Sequence, residues 1–344
     1  MYKTFRPLIF LSSPEQAHHA TIFMLTLGGS LGLGRLVIRS LFPVQKTGPE
    51  VKAFGLTFAN PLGMAAGYDK DGTAWRGLSC LGFGHIEVGT VTPRPQPGNP
   101  KPRVFRLMED KAVINRMGFP GKGSEFMARQ LDHKRPQGLV LGINIGKNKA
   151  TPLETAGEDY VMLVHKFAAQ GDYLAVNISS PNTPGLRTLQ ARAALEGLLK
   201  PIAVARAEEV QKLHRPVPVL VKLAPDLSDP ELDNALEVIQ ASGMDGVIIG
   251  NTTLKREGLK SLRAGQEGGL SGHPLNDLNT AMIKKVHQRM GGALPIVASG
   301  GVMSQADAQV KLDSGAVLVQ LYTGLIYEGP GLVANILNAG LNVH

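Results

Sequence analysis

The chemically capable residues of this chain recur where apolar runs give way to polar ones. Lys70 follows Leu62 to Ala66, Asn144 closes a run from Leu139, and Asn177 falls at the end of the run from Tyr173. Lys222 lies in the run Val219 to Leu223, and Asn251 and Thr252 follow Gly246 to Gly250. A carboxamide both donates and accepts hydrogen bonds. Asn144, Asn177 and Asn251, joined by Asn115 and Asn182, therefore suit a planar ligand bearing imide and carboxylate groups. Lys70 or Lys222 would neutralise an anion. One Asn after a strand is ordinarily a turn residue, but recurrence at several strand ends favours a binding ring. Gly300 and Gly301 in SGGV and Gly324 in YTG permit close backbone approach, which points to a phosphate site shared by two loops, with simple turns as the alternative. The candidate general base is Ser180 in NISSPNTPGL. A serine hydroxyl is a poor base unaided, and no His or carboxylate is near in sequence, so a water path or partner must remove its proton; Thr183 is the nearest relay. Ordinary loop hydrogen bonding is the other reading of Ser179 and Ser180.

The elements that must hold these residues repeat. Eight short apolar runs alternate with helical patterns from about Pro61 onward, the two last being Ile296 to Ser299 and Leu318 to Tyr322, and His85 to Val91 the second. Helix-like segments such as Ala191 to Val210 and Pro230 to Ser242 lie between them. Eight βα units without an early glycine-rich dinucleotide turn predict an α/β fold, a (β/α)8 TIM barrel, with ligand at the C-terminal strand ends. Val51 to Phe54 and Leu56 to Phe58 predict a hairpin plugging the N-terminal face. Pro93 to Gly123 is too long for an ordinary βα loop and should fold over the active face. GINIGKN has the wrong glycine spacing for a phosphate loop of the nucleotide-triphosphate type, and GGSLGLG at Gly28 to Gly34 reads as a turn.

Composition restricts the classes. The 344-residue chain carries a formal charge of +8 and one cysteine, Cys80, so no internal disulfide is possible, a reducing cytoplasm fits, and no His or Cys spacing suggests a metal. Half of the net charge lies in residues 1–46, where Lys3, Arg6, Arg35, Arg39 and Lys46 face only Glu15. The uncharged stretch Ala20 to Gly34 is 15 residues long, short of the ~20 that a spanning helix needs, and no cleavage-like site follows. Two short amphipathic helices, Phe5 to Leu11 and Pro14 to Leu27, suited to anionic lipid headgroups, are expected; a cap packed on the barrel is the alternative. This divides the chain into a helical extension, 1–46, and a barrel, 47–344.

At this point long ordered motifs carry a resemblance. NPLGMAAGYDKDG (60–72), GTVTPRPQPGNPKPRVFR (89–106), INRMGF (114–119), NISSPNTPGLRTLQ (177–190), KLAPDLS (222–228), NTTL (251–254), GGLSGHPL (268–275) and LVQLYTG (318–324) resemble class 2, quinone-dependent dihydroorotate dehydrogenases. The likeness covers nearly all of the chain after residue 50. It implies FMN as prosthetic group, oxidation of dihydroorotate to orotate in pyrimidine synthesis, and a membrane quinone as acceptor. Ser180 would take the proton from ring carbon 5 while a hydride leaves carbon 6, with Thr183 and Phe119 shaping the relay. Lys70, Asn115, Arg116, Met117, Gly118, Phe119, Asn177, Asn182, Asn251 and Thr252 would contact substrate. Ala66, Gly67, Thr90, Asn144, Asn177, Lys222, Gly250, Gly272, Gly301, Tyr322 and Thr323 would contact FMN. His18 or His19, Arg106 and Tyr322 would line a quinone route beneath the N-terminal helices, and a bacterial chain would sit peripherally on the cytoplasmic face of the inner membrane. Gly250 departs from relatives, which often carry a small hydroxyl residue there, so one flavin hydrogen bond would be missing or supplied by backbone. No nucleic-acid partner is expected. The rivals are a tRNA dihydrouridine synthase, disfavoured because its loop cysteine is absent, and a noncatalytic barrel serving as a membrane adaptor, which would be colourless.

Overall fold

The computed structural model describes residues 2–343. Three helices open the chain, α1 (Tyr2–Leu11), α2 (Pro14–Ser30) and α3 (Gly32–Leu41), followed by an antiparallel hairpin of β1 (Val51–Ala53) and β2 (Leu56–Phe58). Then come β3 (Leu62–Met64), α4 (Trp75–Leu78), β4 (His85–Val91), β5 (Val104–Leu107), β6 (Ala112–Asn115), α5 (Ser124–Leu131), β7 (Val140–Ile145), α6 (Ala156–Phe167) and β8 (Tyr173–Asn177). The second half holds α7 (Arg192–Leu213), β9 (Val219–Leu223), α8 (Asp229–Ala241), β10 (Gly246–Ile249), β11 (Gly269–Gly272), α9 (Asn276–Met290) and β12 (Ile296–Ser299). It ends with α10 (Gln305–Asp313), β13 (Ala316–Leu321), α11 (Thr323–Glu328) and α12 (Leu332–Ala339).

Strands β3, β4, β7, β8, β9, β10, β12 and β13 close into a parallel barrel in that order, as the eight expected runs require. Both faces of each strand are covered, so these segments are buried nearly throughout and most are apolar almost without interruption; β4, HIEVGTV, carries His85, Glu87 and Thr90 into the interior. Helix starts follow local chemistry: Ser228 and Glu231 form a reciprocal cap at α8, its Pro230 needing no amide donor there, and Ser13 with Gln16 does the same at α2. The hairpin closes the N-terminal face. Val51, Ala53 and Phe58 pack against Val140, Leu220, Val297 and Leu318 from the barrel interior.

Two expectations change. The N-terminal pair is a trio, because GLGRLVIRSL forms α3, and Gly28 and Gly29 lie inside α2 rather than in a turn. Their use is close packing: a Cβ on Gly29 would stand 2.3 Å from the Gly77 amide nitrogen, and one on Gly77 would stand 2.2 Å from the Leu25 carbonyl. The long segment after β4 is a small antiparallel sheet, β5 and β6, extended by β11 from a distant loop, with Gly269 opposite Asn115 and Gly272 opposite Ala112.

Candidate active site

A polar cleft opens at the C-terminal ends of the barrel strands. Its floor begins with Asn177 at the end of β8, whose Nδ2 donates to Thr90 Oγ1 at 2.8 Å and to Asn144 Oδ1 at 3.0 Å. Thr90 Oγ1 in turn donates to the same Asn144 oxygen at 2.5 Å. Asn144 is fully buried one step below, with its Nδ2 on Glu87 Oε1 at 2.8 Å. Lys222, from β9, stands 3.7 Å from that Glu87 oxygen. Burial pulls the Lys222 ammonium below its ordinary range, and Glu87 opposes the shift.

One wall comes from the loop after β8. Ser180 is buried and lines the cleft; its Oγ accepts the Asn182 amide at 3.3 Å. Asn251 Nδ2 donates to Ser179 Oγ at 2.9 Å, and Asn182 Nδ2 to Asn115 Oδ1 at 3.2 Å, so the predicted carboxamides lie on connected elements. Arg187 binds these loops together: Nε donates to the Ser179 carbonyl at 2.9 Å, Nη2 to the Thr252 carbonyl at 2.7 Å, and Nη1 to Asp226 at 2.7 Å. The opposite wall holds Met117, Gly118 and Phe119, with Phe119 in left-handed backbone at φ 52°, uncommon for a bulky residue and often found at functional sites.

Lys70 Nζ donates to the Gly67 carbonyl at 2.6 Å, and burial brings its pKa down to about 8. Ala66, Gly67, Gly272, Gly301 and Thr323 line the cleft, and the loops carrying Gly300 and Gly324 meet there, as their pairing in the sequence suggested. Thr323 Oγ1 lies 2.9 Å from Ser271 Oγ.

A second, mainly apolar cavity of about 420 Å³ lies under α1 and α2. Lys70, Asn115, Met117, Ser271 and Tyr322 line both spaces, so the two adjoin. His18 and Arg106 line the second; His19 does not. The His18 ring meets Tyr68 edge-on at 5.3 Å, and Tyr68 meets Tyr322 at 5.6 Å. Burial holds the His18 imidazole neutral, with its pKa down to about 3, and raises the Tyr322 phenol to about 12. Arg106 stacks on Phe10 at 4.4 Å and donates to the Ser12 carbonyl, while its Nη1 is buried without a partner.

Four of the expected site residues do not themselves line the cleft. Arg116 turns from the cleft, because the Pro102 and Glu267 carbonyls and Gln266 take its guanidinium and Phe105 stacks beneath it. Gly250 does not line the cleft; a Cβ there would be 2.0 Å from the Ser299 carbonyl, so the glycine serves the approach of β10 to β12 and no hydroxyl side chain would fit. Asn144 acts from below the floor, and Thr183 is buried without reaching the cleft wall. Glu87, Gln320, Ser271 and Arg187 were not singled out from sequence. An acid or amide inside an apolar strand is itself a signal, which HIEVGTV and AVLVQL carry; Arg187 offers none.

Together the closed parallel barrel, polar cleft and adjoining apolar cavity define a (β/α)8-barrel enzyme that brings a polar and a lipophilic ligand to neighbouring spaces. The dihydroorotate dehydrogenase family model matches residues 49–342. A relative from Stutzerimonas stutzeri, named dihydroorotate dehydrogenase (quinone), is 47% identical over 341 residues, covering 98% of this chain and 97% of its own. One of that name from Cellvibrio japonicus is 47% identical over 335 residues, 97% of this chain and 96% of its own. The solved structure of DHODH from Eimeria tenella in complex with ferulenol matches with TM-score 0.85 and 36% identity, over 95% of this chain and 90% of that one. This chain belongs to the dihydroorotate dehydrogenase family.

Proposed function

We propose that the protein oxidises dihydroorotate to orotate in pyrimidine biosynthesis, using FMN and passing the electrons to a quinone. The observation that carries this reading is the wall shared by the polar cleft and the apolar cavity at Lys70, Asn115 and Tyr322. A hydrophilic substrate and a lipophilic acceptor each have a space beside one redox group.

The residues present fit a flavin. Thr252 Oγ1 and Gln320 Oε1 are buried and without partners in residues that line the cleft, which also offers Lys222, Asn177 and Thr90 to a polar ring system. Gly272, Gly301 and Thr323 would hold the phosphate end, and Ala66, Gly67 and Tyr322 the ring edge. Bound FMN supplies two-electron acceptance. The protein's own part is to orient substrate with Asn115, Asn177, Asn182, Asn251 and Thr252, to neutralise its carboxylate with Lys70, and to take the carbon-5 proton on Ser180. Phe119 screens that proton from water, and Thr183 leads it away. Arg116, whose guanidinium, amide and carbonyl are all taken by partners outside the cleft, has no place in this set.

The first experiment is the visible spectrum of the purified protein under anaerobic conditions. Bleaching by dihydroorotate and recovery with a short-chain quinone are expected; a flavin-loaded protein that does not bleach removes the substrate assignment.

Lys70 gives this reading a pH dependence. The cation must be protonated to hold the product carboxylate, and its pKa in the free site lies at about 8. Orotate affinity should therefore be full below that value and fall as pH rises through it, approaching about tenfold per pH unit. Spectral titration with orotate from pH 6 to 9.5 checks this. Lys70→Met should be weak and flat across the range; a sloping variant would assign the titration elsewhere.

Arg187 supplies a second prediction. Its three hydrogen bonds hold the Ser180 loop against Thr252, and a misplacement of about 1 Å at a reacting centre costs on the order of 100-fold. Arg187→Ala should slow flavin reduction by dihydroorotate by that order in stopped flow while FMN remains bound. An unchanged rate would show that the loop holds itself.

We assign residues 1–46 as a helical extension and 47–344 as the barrel. Among the described residues no single helix is long and apolar enough to cross a membrane; only α2 with α3, bent by 118°, has the combined length and composition. Leu8 on α1, Phe23 on α2 and Leu33 on α3 expose 65%, 67% and 74% of their surface. These exposed apolar side chains, with the cationic Arg35 and Arg39 on α3, support peripheral contact with an anionic membrane, and a cytoplasmic-face location in a bacterium. His18, Arg106 and Tyr322 would then line the quinone route.

A further inference from the structure

The floor of the cleft rests on a carboxylate that the chemistry above leaves unused. Glu87, in the middle of β4, is completely buried. Its Oε1 accepts from Asn144 on β7 at 2.8 Å and faces the Lys222 ammonium on β9 at 3.7 Å. Its Oε2 accepts from Tyr173 on β8 at 3.0 Å and from Gln320 on β13 at 2.8 Å. Barrel interiors are usually filled by branched apolar layers, and a buried carboxylate is costly unless its partners satisfy it. Here four strands each contribute one. Lys222 and Gln320 line the cleft, whereas Glu87 does not.

We propose that Glu87 is a positioning residue that keeps Lys222 charged and Asn144 correctly turned, and thereby sets the electrostatic environment and redox potential of the flavin in the cleft. The inference rests on the FMN reading given above. Its geometry is directional. Because Glu87 can only accept, Asn144 must present its Nδ2 downward, which leaves its Oδ1 to receive Thr90 and Asn177. A glutamine at position 87 has one acceptor oxygen in place of two and brings an NH2 group into a shell made of donors. One member of that shell must rotate or lose its partner.

The charge of Glu87 acts on Lys222 separately from its hydrogen bonds. Burial drives Lys222 toward the neutral amine, and Glu87 is the carboxylate that opposes it. The other groups near the pair do not compensate: Tyr173 has its phenol pKa raised by burial and by Glu87, His85 on the same strand is held neutral by burial, and Asn144 and Gln320 do not ionise. Lys70, the other cation lining the cleft, would only add repulsion. Without Glu87, the Lys222 pKa falls further, so the site loses a positive charge as pH rises.

The test compares the holoenzyme with Glu87→Gln, which removes charge and keeps size, and Glu87→Asp, which keeps charge and spoils packing. The readout is the midpoint potential of the bound flavin from pH 6 to 9. Beyond any change that wild type and Glu87→Asp share through Lys70, Glu87→Gln should show a further break in its pH profile, with the potential falling more steeply as Lys222 deprotonates. If Glu87→Gln loses flavin on purification, titration of its apoprotein with FMN gives the same information: a ratio of affinity at pH 6 to affinity at pH 9 larger than that of wild type. A Glu87→Gln profile parallel to wild type, or a Glu87→Asp profile matching Glu87→Gln, overturns the proposal in favour of a purely structural ion pair. A wild-type protein that binds no FMN removes the flavin reading as well, whereas a flat profile on bound flavin removes only the role of Glu87.

Discussion

Ser180→Ala should slow reduction of the bound flavin by dihydroorotate by about 100- to 10,000-fold, the range a general base contributes, and leave the flavin bound. The expectation follows from what surrounds the hydroxyl. Ser180 is buried on the cleft wall, and the hydrogen bond recorded at its Oγ is a long one, 3.3 Å, accepted from the Asn182 amide. An oxygen so lightly engaged is free to meet a ligand. Ser179 next to it is committed: its Oγ donates to Asn177 and accepts from Asn251, which makes it a structural joint of the floor. Ser179→Ala should therefore act mainly through Asn251, and the contrast between the two serines separates a base from a brace. Single-turnover stopped flow is the proper measurement, because steady-state turnover also includes reoxidation. Unchanged single-turnover reduction in Ser180→Ala would remove this residue from the proton transfer. Loss of flavin from the variant would instead mark a folding defect, which the absorbance ratio of flavin to protein reports directly.

The barrel was legible because its strands are buried on both faces. Runs such as Val219 to Leu223 carry an apolar signature independent of their neighbours, and all eight proposed runs became barrel strands with ends shifted by at most two residues. What failed to show depends on contacts between distant segments. Helix α3 was hidden because Gly28 to Gly34 has the composition of a turn, although its glycines serve helix-on-helix packing. Strand β11 reads GLSG, and only pairing with β6 makes it a strand. Arg116 shares a sequence motif with lining residues, but it lies just beyond the end of β6 and three acceptors outside the cleft hold its side chain away. Lys222 was visible as a cation in an apolar strand; that Glu87 stands 3.7 Å from it on another strand requires barrel closure.

Replacing Leu8, Phe23 and Leu27 together by serine should release the protein from anionic vesicles and depress turnover with a long-chain quinone, while leaving flavin reduction by dihydroorotate intact. These side chains are 65%, 67% and 54% exposed, so their loss removes little folded packing. If their exposed parts enter a bilayer, each contributes about 1–2 kcal/mol of apolar transfer, and three would change the partition constant by about 100-fold or more. The variant is more informative than truncation. Helix α2 packs on α4 through Gly29 and Gly77, and α1 is fastened to α11 by Tyr2 on the Ile326 carbonyl at 2.6 Å and Lys3 on Glu328 at 2.8 Å. Deleting these helices would expose barrel surface and the apolar cavity together, confusing membrane loss with damage to the quinone route. A short, water-soluble quinone divides the two: it should still reoxidise the triple variant, because the walls of the cavity at His18, Arg106 and Tyr322 are untouched. Retained vesicle binding would place the membrane contact on another surface, and failure with the soluble quinone would show that the outer face also shapes the cavity.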